Sequence, residues 1–513
     1  MARHSMLLRR FVLAFAFVAG SAAASFAEVP AAKLQSAAIQ KWADETFSKI
    51  VADHRVSGVG ITVIQGDKVL FTKGYGYQDY ATKKPFDPNV TQTRIASTTK
   101  QFIGVSVAQL LERGKIASLN DPVNKYLKRI QLPKNNGEDV LIWDLLTHRG
   151  GFAGNGKNLD ITPETVKTPL AADIIKASLP DYARKRDTVS VYCNICSAIL
   201  GFMIEDVTGQ GLPDYLRDNI YKPLGMSNTM LAVDDKPSAN MAVQYAFQEG
   251  GVAIPLPYPT LSPHLAAAGS NISTVADMSK WLIANITEGG GPGKALLNQK
   301  SWDLVHTQYR QNHPGTSGFG MHYFTYDWNG EQMLEQYGSL QHYSKFYLLR
   351  DSKVGIFVTL IGGGGPRPNM EIPQTGVKVE GKVLPQMSHT GIRDLVLSHF
   401  LGPLPFQKDA KVDVTKYVGQ YGSIARNNNP NQQANLTEVK ASGDGGLIID
   451  GRGVYRPSGP HTFTLDRPIE LEAGFGQSNR YVFAVDANGV ANAMYQHVNA
   501  GKLERVGPAS AGN

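Results

Sequence analysis

Arg94-Ile95-Ala96-Ser97-Thr98-Thr99-Lys100-Gln101-Phe102-Ile103 opens a helical pattern that runs to about residue 113. Phe102, Ile103, Val105, Val107, Leu110 and Leu111 are its apolar positions and Gly114 its stop. Residues three apart on a helix share a face, so a helix starting at the serine puts Lys100 beside Ser97. A serine hydroxyl is a weak nucleophile at neutral pH and needs a base to take its proton. Burial lowers a lysine pKa by disfavouring the charged form, and a nearly neutral amine can accept that proton. Ser97 and Lys100 are the first candidate catalytic pair.

A second element, Tyr192-Cys193-Asn194, follows 95 residues after Ser97, where the extended run Thr188-Val189-Ser190-Val191 turns into a helix. A phenol serves as acid or base once nearby cations lower its pKa, and Lys100 is the expected cation. The Asn194 carboxamide can bind a substrate carbonyl or hold the lysine. The third element is Gln336-Tyr337-Gly338-Ser339, just before a strand. Acyl transfer builds negative charge on a carbonyl oxygen, which two backbone N–H groups can stabilise. The candidates are the N–H of Ser97 and that of Ser339 on an edge strand, with Gly338 leaving the backbone open to substrate.

Around these elements, residues 33–54 read as an amphipathic helix. Residues 58–64 and 68–72 are β-rich runs about a Gln65-Gly66-Asp67 turn. The stretch to about 280 is mainly helical. Strands return at 318–323, 346–349 and 354–361, then a Gly- and Pro-rich loop runs from 362 to about 386, and a helix at 391–401 closes the unit. Strands near both ends with helices between them predict one sheet assembled from both ends and a helical insertion. Gly402-Pro403-Leu404-Pro405 reads as a linker. Beyond about 412 the chain is short strands and turns, with Asp486-Ala487-Asn488-Gly489 a hairpin turn, so a separate small β-sandwich or barrel is expected. The expected division is residues 1–27, 28–405 and 406–513.

Residues 1–27 read as an export signal: Arg3, Arg9 and Arg10 precede the apolar run 11–19, and Ser25-Phe26-Ala27 offers a cleavage site. The expected location is periplasmic or secreted. That run is too short to span a bilayer, and no later membrane span is evident. Losing this segment lowers the formal net charge of +7 by three, and no lysine or arginine run marks a nucleic-acid partner. The two cysteines, Cys193 and Cys196, fit either buried thiols or a local disulfide; no second pair completes a zinc site. No metal or cofactor is expected. The glycine runs 289–291 and 362–365 lack the context of a phosphate loop.

With Ser97-Thr98-Thr99-Lys100, Tyr192-Cys193-Asn194 and Gln336-Tyr337-Gly338-Ser339 in order, the chain resembles the serine β-lactamase and penicillin-binding-protein superfamily, specifically its class C-like branch. The resemblance covers roughly residues 33–401. It extends to Asn120-Asp121-Pro122-Val123-Asn124-Lys125-Tyr126-Leu127, Leu145-Leu146-Thr147-His148-Arg149-Gly150-Gly151, Tyr221-Lys222-Pro223-Leu224-Gly225-Met226 and the stretch from Ala267 to Asp277. It implies an α+β fold: an antiparallel sheet flanked by helices, a mostly helical subdomain and here a small C-terminal all-β domain. It also implies Ser97 as nucleophile, Lys100 as its proton partner, Tyr192 as general base and activator of the deacylating water, and Asn194, Gln336, Gly338 and Ser339 as substrate-binding. His148 and Asp277 read as structural. No counterpart of the class A glutamate is evident, which supports the tyrosine route.

Three departures stand out. Gln336 replaces the family's lysine or histidine, so recognition of a substrate carboxylate there loses its cation; His342, six residues on, is the candidate substitute. Tyr337 replaces a small residue and narrows the site. Arg149-Gly150 replaces threonine and serine, with an effect expected on a loop alone. The expected activity is acyl-enzyme hydrolysis of a small peptide or amide. Alternatives are a carboxylic ester hydrolase, and a β-lactamase or catalytically weak penicillin- or cell-wall-binding protein.

Overall fold

The computed structural model describes residues 28–508 except 154–155, 159, 235, 259–260, 341, 363–370, 373–376, 379–383, 385–386, 388, 424–435, 468–477 and 499–500. The expected export signal and most of the 362–386 loop, its glycine run included, lie outside the described residues. No helix among the described residues is long and apolar enough to cross a membrane.

Helix α1 (Ser36–Ala52) leads into β1 (Gly58–Gln65), β2 (Lys68–Asp79) and β3 (Lys84–Pro85). After the helical middle come β4 (Arg310–Gln311), β5 (Gly318–Phe319), β6 (Phe324–Trp328), β7 (Glu331–Ser339), β8 (His342–Leu349) and β9 (Val354–Ile361). They form one antiparallel sheet in the order β3-β2-β1-β9-β8-β7-β6-β5-β4, joined by β1 against β9. Strands from both ends of the unit therefore share one sheet, as the pattern predicts.

Two differences bear on the site. The 318–323 run is strand only over β5, because the chain turns at His322, whose φ is 64°. Strands β6 and β7 form a hairpin through Asn329 and Gly330, both at positive φ, as a tight two-residue turn requires. Strand β7 is thus an interior strand of the sheet and not an edge strand. Residues 336–339 do run past β6, whose ladder ends at Phe324 opposite Glu335, so the end of β7 is uncovered on that side.

Apolar side chains fill both faces. One face carries α1 and α6 (His389–Leu401), with Phe47, Ile61, Val358, Ile392 and Phe400 buried together. The other carries α2 (Thr99–Glu112) and α5 (Val275–Thr287), with Phe102, Met278, Trp281, Phe346 and Phe357. Helix α2 is buried from Thr99 to Leu110, as befits a helix packed on all sides. Helix α3 (Asn194–Thr208) and the short α4 (Ala266–Gly269) lie beside it. The C-terminal strands, Gly419–Ser423 through Lys502–Gly507, close into an eight-stranded barrel around Tyr421, Tyr455, Phe463 and Phe483. Of the two architectures expected, the barrel is found. The 486–489 hairpin is present, closed by Gly489 N–H to the Asp486 carbonyl.

Candidate active site

Ser97 lies in a single 3-10 turn (Ala96–Thr98) that feeds α2. Ala96 sits at φ 47°, a left-handed conformation that costs an alanine about 1–2 kcal/mol. Neighbours hold it there: Ser344 Oγ donates to the Ile95 carbonyl at 2.6 Å and lies 2.8 Å from Thr98 Oγ1. The Arg94 N–H donates to His342 Nδ1 at 3.0 Å, and the Asn271 N–H to Thr99 Oγ1 at 3.0 Å. Strained backbone held by over-determined contacts is how functional groups are commonly presented.

Lys100 is fully buried, with Nζ 3.1 Å from Ser97 Oγ, 2.8 Å from Asn194 Oδ1 and 2.6 Å from the Ala268 carbonyl oxygen. All three partners are neutral. Burial therefore holds the lysine pKa well below its ordinary value. A neutral amine has two N–H donors and one lone pair. In that form two donors would satisfy Asn194 and Ala268 and the lone pair would face the Ser97 hydroxyl.

Tyr192 stands on the other side, with Lys100 Nζ 4.9 Å over its ring. Its hydroxyl is enclosed and faces Ser97, which draws its pKa down slightly without closing a hydrogen bond of good geometry. The net shift is upward, from burial first and from the Tyr337 phenol second. The expected lowering of the phenol pKa is therefore not found: burial outweighs any effect of Lys100, and Tyr192 rests as a protonated donor.

The tyrosine is fixed from behind. Its ring lies 4.8 Å from that of His148 and stacks on Phe324 at 5.8 Å, and Phe324 stacks in turn on Tyr337 at 5.5 Å. His148 Nδ1 accepts the Cys193 N–H at 3.2 Å, and burial drives the imidazole pKa down to about 3, so it acts as a neutral acceptor. Of the two states left open for the cysteines, Cys193 and Cys196 form the disulfide. It spans the first turn of α3, where Cys193 Sγ also accepts the Cys196 N–H. Tyr192 and Asn194 flank one of its half-cystines. His148, read from the sequence as structural, is one of these supports; Phe324 is the one the sequence gives no signal for.

The 336–339 segment lies directly against the Ser97 turn. A Cβ on Gly338 would meet the Ile95 carbonyl oxygen at 2.0 Å and Ser344 Oγ at 2.5 Å. The glycine thus admits the nucleophile's own turn, rather than leaving room for a substrate. Gln336 is 1% exposed, its Nε2 donating to the His322 carbonyl at 2.7 Å and its Oε1 accepting the Tyr337 N–H at 3.0 Å. Its carboxamide is committed to the protein. His342 supplies no substitute cation: it is buried, accepts the Arg94 N–H, and burial pushes its pKa down to about 3. Ser339 is half-buried at the end of β7, and Tyr337 half-buried beside Phe324. Asp277 has structural partners, accepting from the Asn228 N–H and the Thr229 hydroxyl. No group of three or more metal-ligating side chains occurs among the described residues.

The Beta-lactamase family profile matches residues 43–373, which contain every element of this constellation. The chain belongs to the Beta-lactamase family. Over 319 residues it is 26% identical to Protein flp of Staphylococcus aureus (strain N315), covering 60% of each chain. Over 286 residues it is 28% identical to the putative penicillin-binding protein PbpX of Bacillus subtilis (strain 168), covering 55% of this chain and 65% of that one. The matched part thus spans about three-fifths of those relatives' length. In fold it is similar to the octameric penicillin-binding protein homologue from Pyrococcus abyssi, at TM-score 0.56 and 21% identity, over 91% of this chain and 99% of that one. It is similar also to SurE, at TM-score 0.57 and 17% identity, over 92% and 100%. Both matches extend over the barrel as well as the sheet.

Proposed function

We propose that this Beta-lactamase-family chain is an exported serine hydrolase that works through an acyl-enzyme on Ser97. The observation that carries the reading is the placement of Lys100 Nζ, buried among neutral acceptors and 3.1 Å from Ser97 Oγ. In acylation, Oγ attacks the substrate carbonyl carbon while its proton passes to the Lys100 lone pair. The oxyanion is received by the N–H groups of Ser97 and Ser339. Tyr192, protonated at rest, hands its proton to the departing nitrogen or oxygen, and the proton that Lys100 took from Ser97 makes good the loss. In deacylation the same pair takes the proton of the incoming water and returns it to Ser97.

Gln336 and His342 leave the third element without a cation, which favours substrates with no free carboxylate at that end. A small peptide or amide fits, with the ester hydrolase as second reading. β-Lactam turnover as a main activity is disfavoured by the same observation. Export rests on residues 1–27 alone.

The test is a screen of purified protein against p-nitrophenyl esters, D- and L-amino-acid p-nitroanilides and nitrocefin, with Ser97→Ala as control. Turnover of a p-nitroanilide or ester, lost in Ser97→Ala, supports the reading. Wild-type rates in Ser97→Ala overturn it.

A further inference from the structure

The segment that delivers Tyr192 is clamped by side chains outside the catalytic elements. Ser190, two residues before the tyrosine, has both backbone groups taken by one carboxamide: its N–H donates to Asn312 Oδ1 at 2.8 Å, and Asn312 Nδ2 donates to its carbonyl at 2.8 Å. Asn312 thus acts as a one-residue β-ladder on a segment whose next residue, Val191, donates its N–H to the His148 carbonyl at 2.9 Å. Arg149, a departure from the family pattern, completes the clamp. Its Nε donates to Ser190 Oγ at 2.9 Å, its Nη1 to the Asp187 carbonyl at 3.1 Å, and its Nη2 to the Gln311 carbonyl at 3.2 Å. Arg149 is 9% exposed, so these bonds are sheltered from water. The expectation that this departure concerns a loop alone understates it.

The loop that carries Asn312 has a second attachment. Its next residue, His313, stacks on Tyr495 of the barrel with ring centroids 5.0 Å apart, and the Ser317 N–H donates to the barrel's His497 carbonyl at 2.6 Å. The 312–317 loop therefore lies between the C-terminal barrel and the segment that carries Tyr192 and is bonded to both. Gln311 closes the loop on itself, its Nε2 donating to the His313 and Thr316 carbonyls and its backbone pairing with Gly318.

We infer that Asn312 is a positioning residue for Tyr192, and that the C-terminal barrel, through His313 and Ser317, sets the geometry of proton transfer. The inference rests on the proposed role of Tyr192. It gives the barrel a task within the hydrolase that requires no ligand of its own. Asn312 touches neither substrate nor the reacting atoms, so its loss leaves binding in place and slows the chemistry.

The experiment compares wild type, Asn312→Ala, Asn312→Asp, Tyr495→Ala and the Asn312→Ala/Tyr495→Ala pair in the full chain. The readouts are kcat and KM on the best substrate of the screen, and amide hydrogen exchange over residues 187–193. Removing two partly buried hydrogen bonds from this segment is expected to lower kcat about tenfold or more, with KM within about twofold. Exchange over 187–193 rises in parallel. Asn312→Asp keeps the acceptor and loses the donor, so it falls between. Tyr495→Ala shifts both readouts in the same direction by less, and the pair changes kcat by less than the product of the two singles. Wild-type kcat and exchange in Asn312→Ala overturn the clamp, as do effects of the two single substitutions that multiply independently. If Asn312→Ala does not fold, Asn312→Asp decides by the same two readouts. Ser97→Ala run alongside separates the outcomes: with it inactive and Asn312→Ala unimpaired, the clamp fails and the hydrolase stands.

Discussion

Replacing Lys100 with methionine tests the neutral-amine reading through stability, without any substrate. In the folded protein burial holds the Lys100 pKa well below its ordinary 10.5. In the unfolded chain the amine titrates normally. Between the two values the unfolded state binds one more proton than the folded state, so stability rises with pH until about 10.5 and gains nothing above it. The slope for one proton is about 1.4 kcal/mol per pH unit, which gives about 2 kcal/mol between pH 8 and pH 9.5. Lys100→Met lacks the group and lacks the slope. The other titrating residues, Tyr192 and the buried histidines among them, are common to both proteins and cancel in the difference. Urea unfolding of both at the two pH values measures it, provided m is unchanged. The expected result is a wild-type-minus-variant stability that grows toward pH 9.5, with about 2 kcal/mol as the one-proton ceiling, beside a loss of about 100- to 10,000-fold in kcat. A difference that stays flat with pH means Lys100 keeps its proton when folded, and the base assignment fails.

Three further outcomes follow from the same geometry. Gly338→Ala drives a methyl group to 2.0 Å from the Ile95 carbonyl, so β7 and the Ser97 turn must part; activity falls by about 100-fold or more while the barrel's far-ultraviolet signature persists, and a fully active variant contradicts the contact. Cys193→Ala/Cys196→Ala opens a very short covalent loop, so unfolding measurements should show a loss of no more than about 2 kcal/mol, with a larger proportional loss in kcat because Tyr192 and Asn194 flank the bridge. Tyr192→Phe keeps the ring stack on Phe324 and removes the donor, so kcat falls about 100-fold or more with KM little changed; a selective rise in KM points instead to a binding role.

The parts of this site legible in the sequence are those where chemistry restricts residue type at a fixed local spacing. Ser97 and Lys100 meet because one turn of helix brings them together, and Asn194 reaches the same amine from the start of α3. The central sheet follows from the β-rich runs on either side of the helices. Strands β6 and β7 are marked in the sequence by Asn329-Gly330, a strong hairpin signal, whereas the 318–323 run is strand over only Gly318–Phe319. What spacing cannot convey is the sign of a pKa shift. Tyr192 goes up because its pocket is dry and the Tyr337 phenol stands near it, and both are properties of packing. The same holds for Gly338, whose neighbour comes from a turn more than two hundred residues away, and for Arg149, whose partners come from two separate stretches. Gln336 illustrates the converse: a residue chosen for its place in a motif spends its polar groups on the protein's own backbone.

The most direct measurement is intact-mass spectrometry of the protein quenched during turnover of a p-nitrophenyl ester, followed by peptide mapping. The account predicts one added acyl group, located on Ser97 and absent from Ser97→Ala. Turnover with no adduct at Ser97, or an adduct carried by another residue and retained in Ser97→Ala, contradicts it.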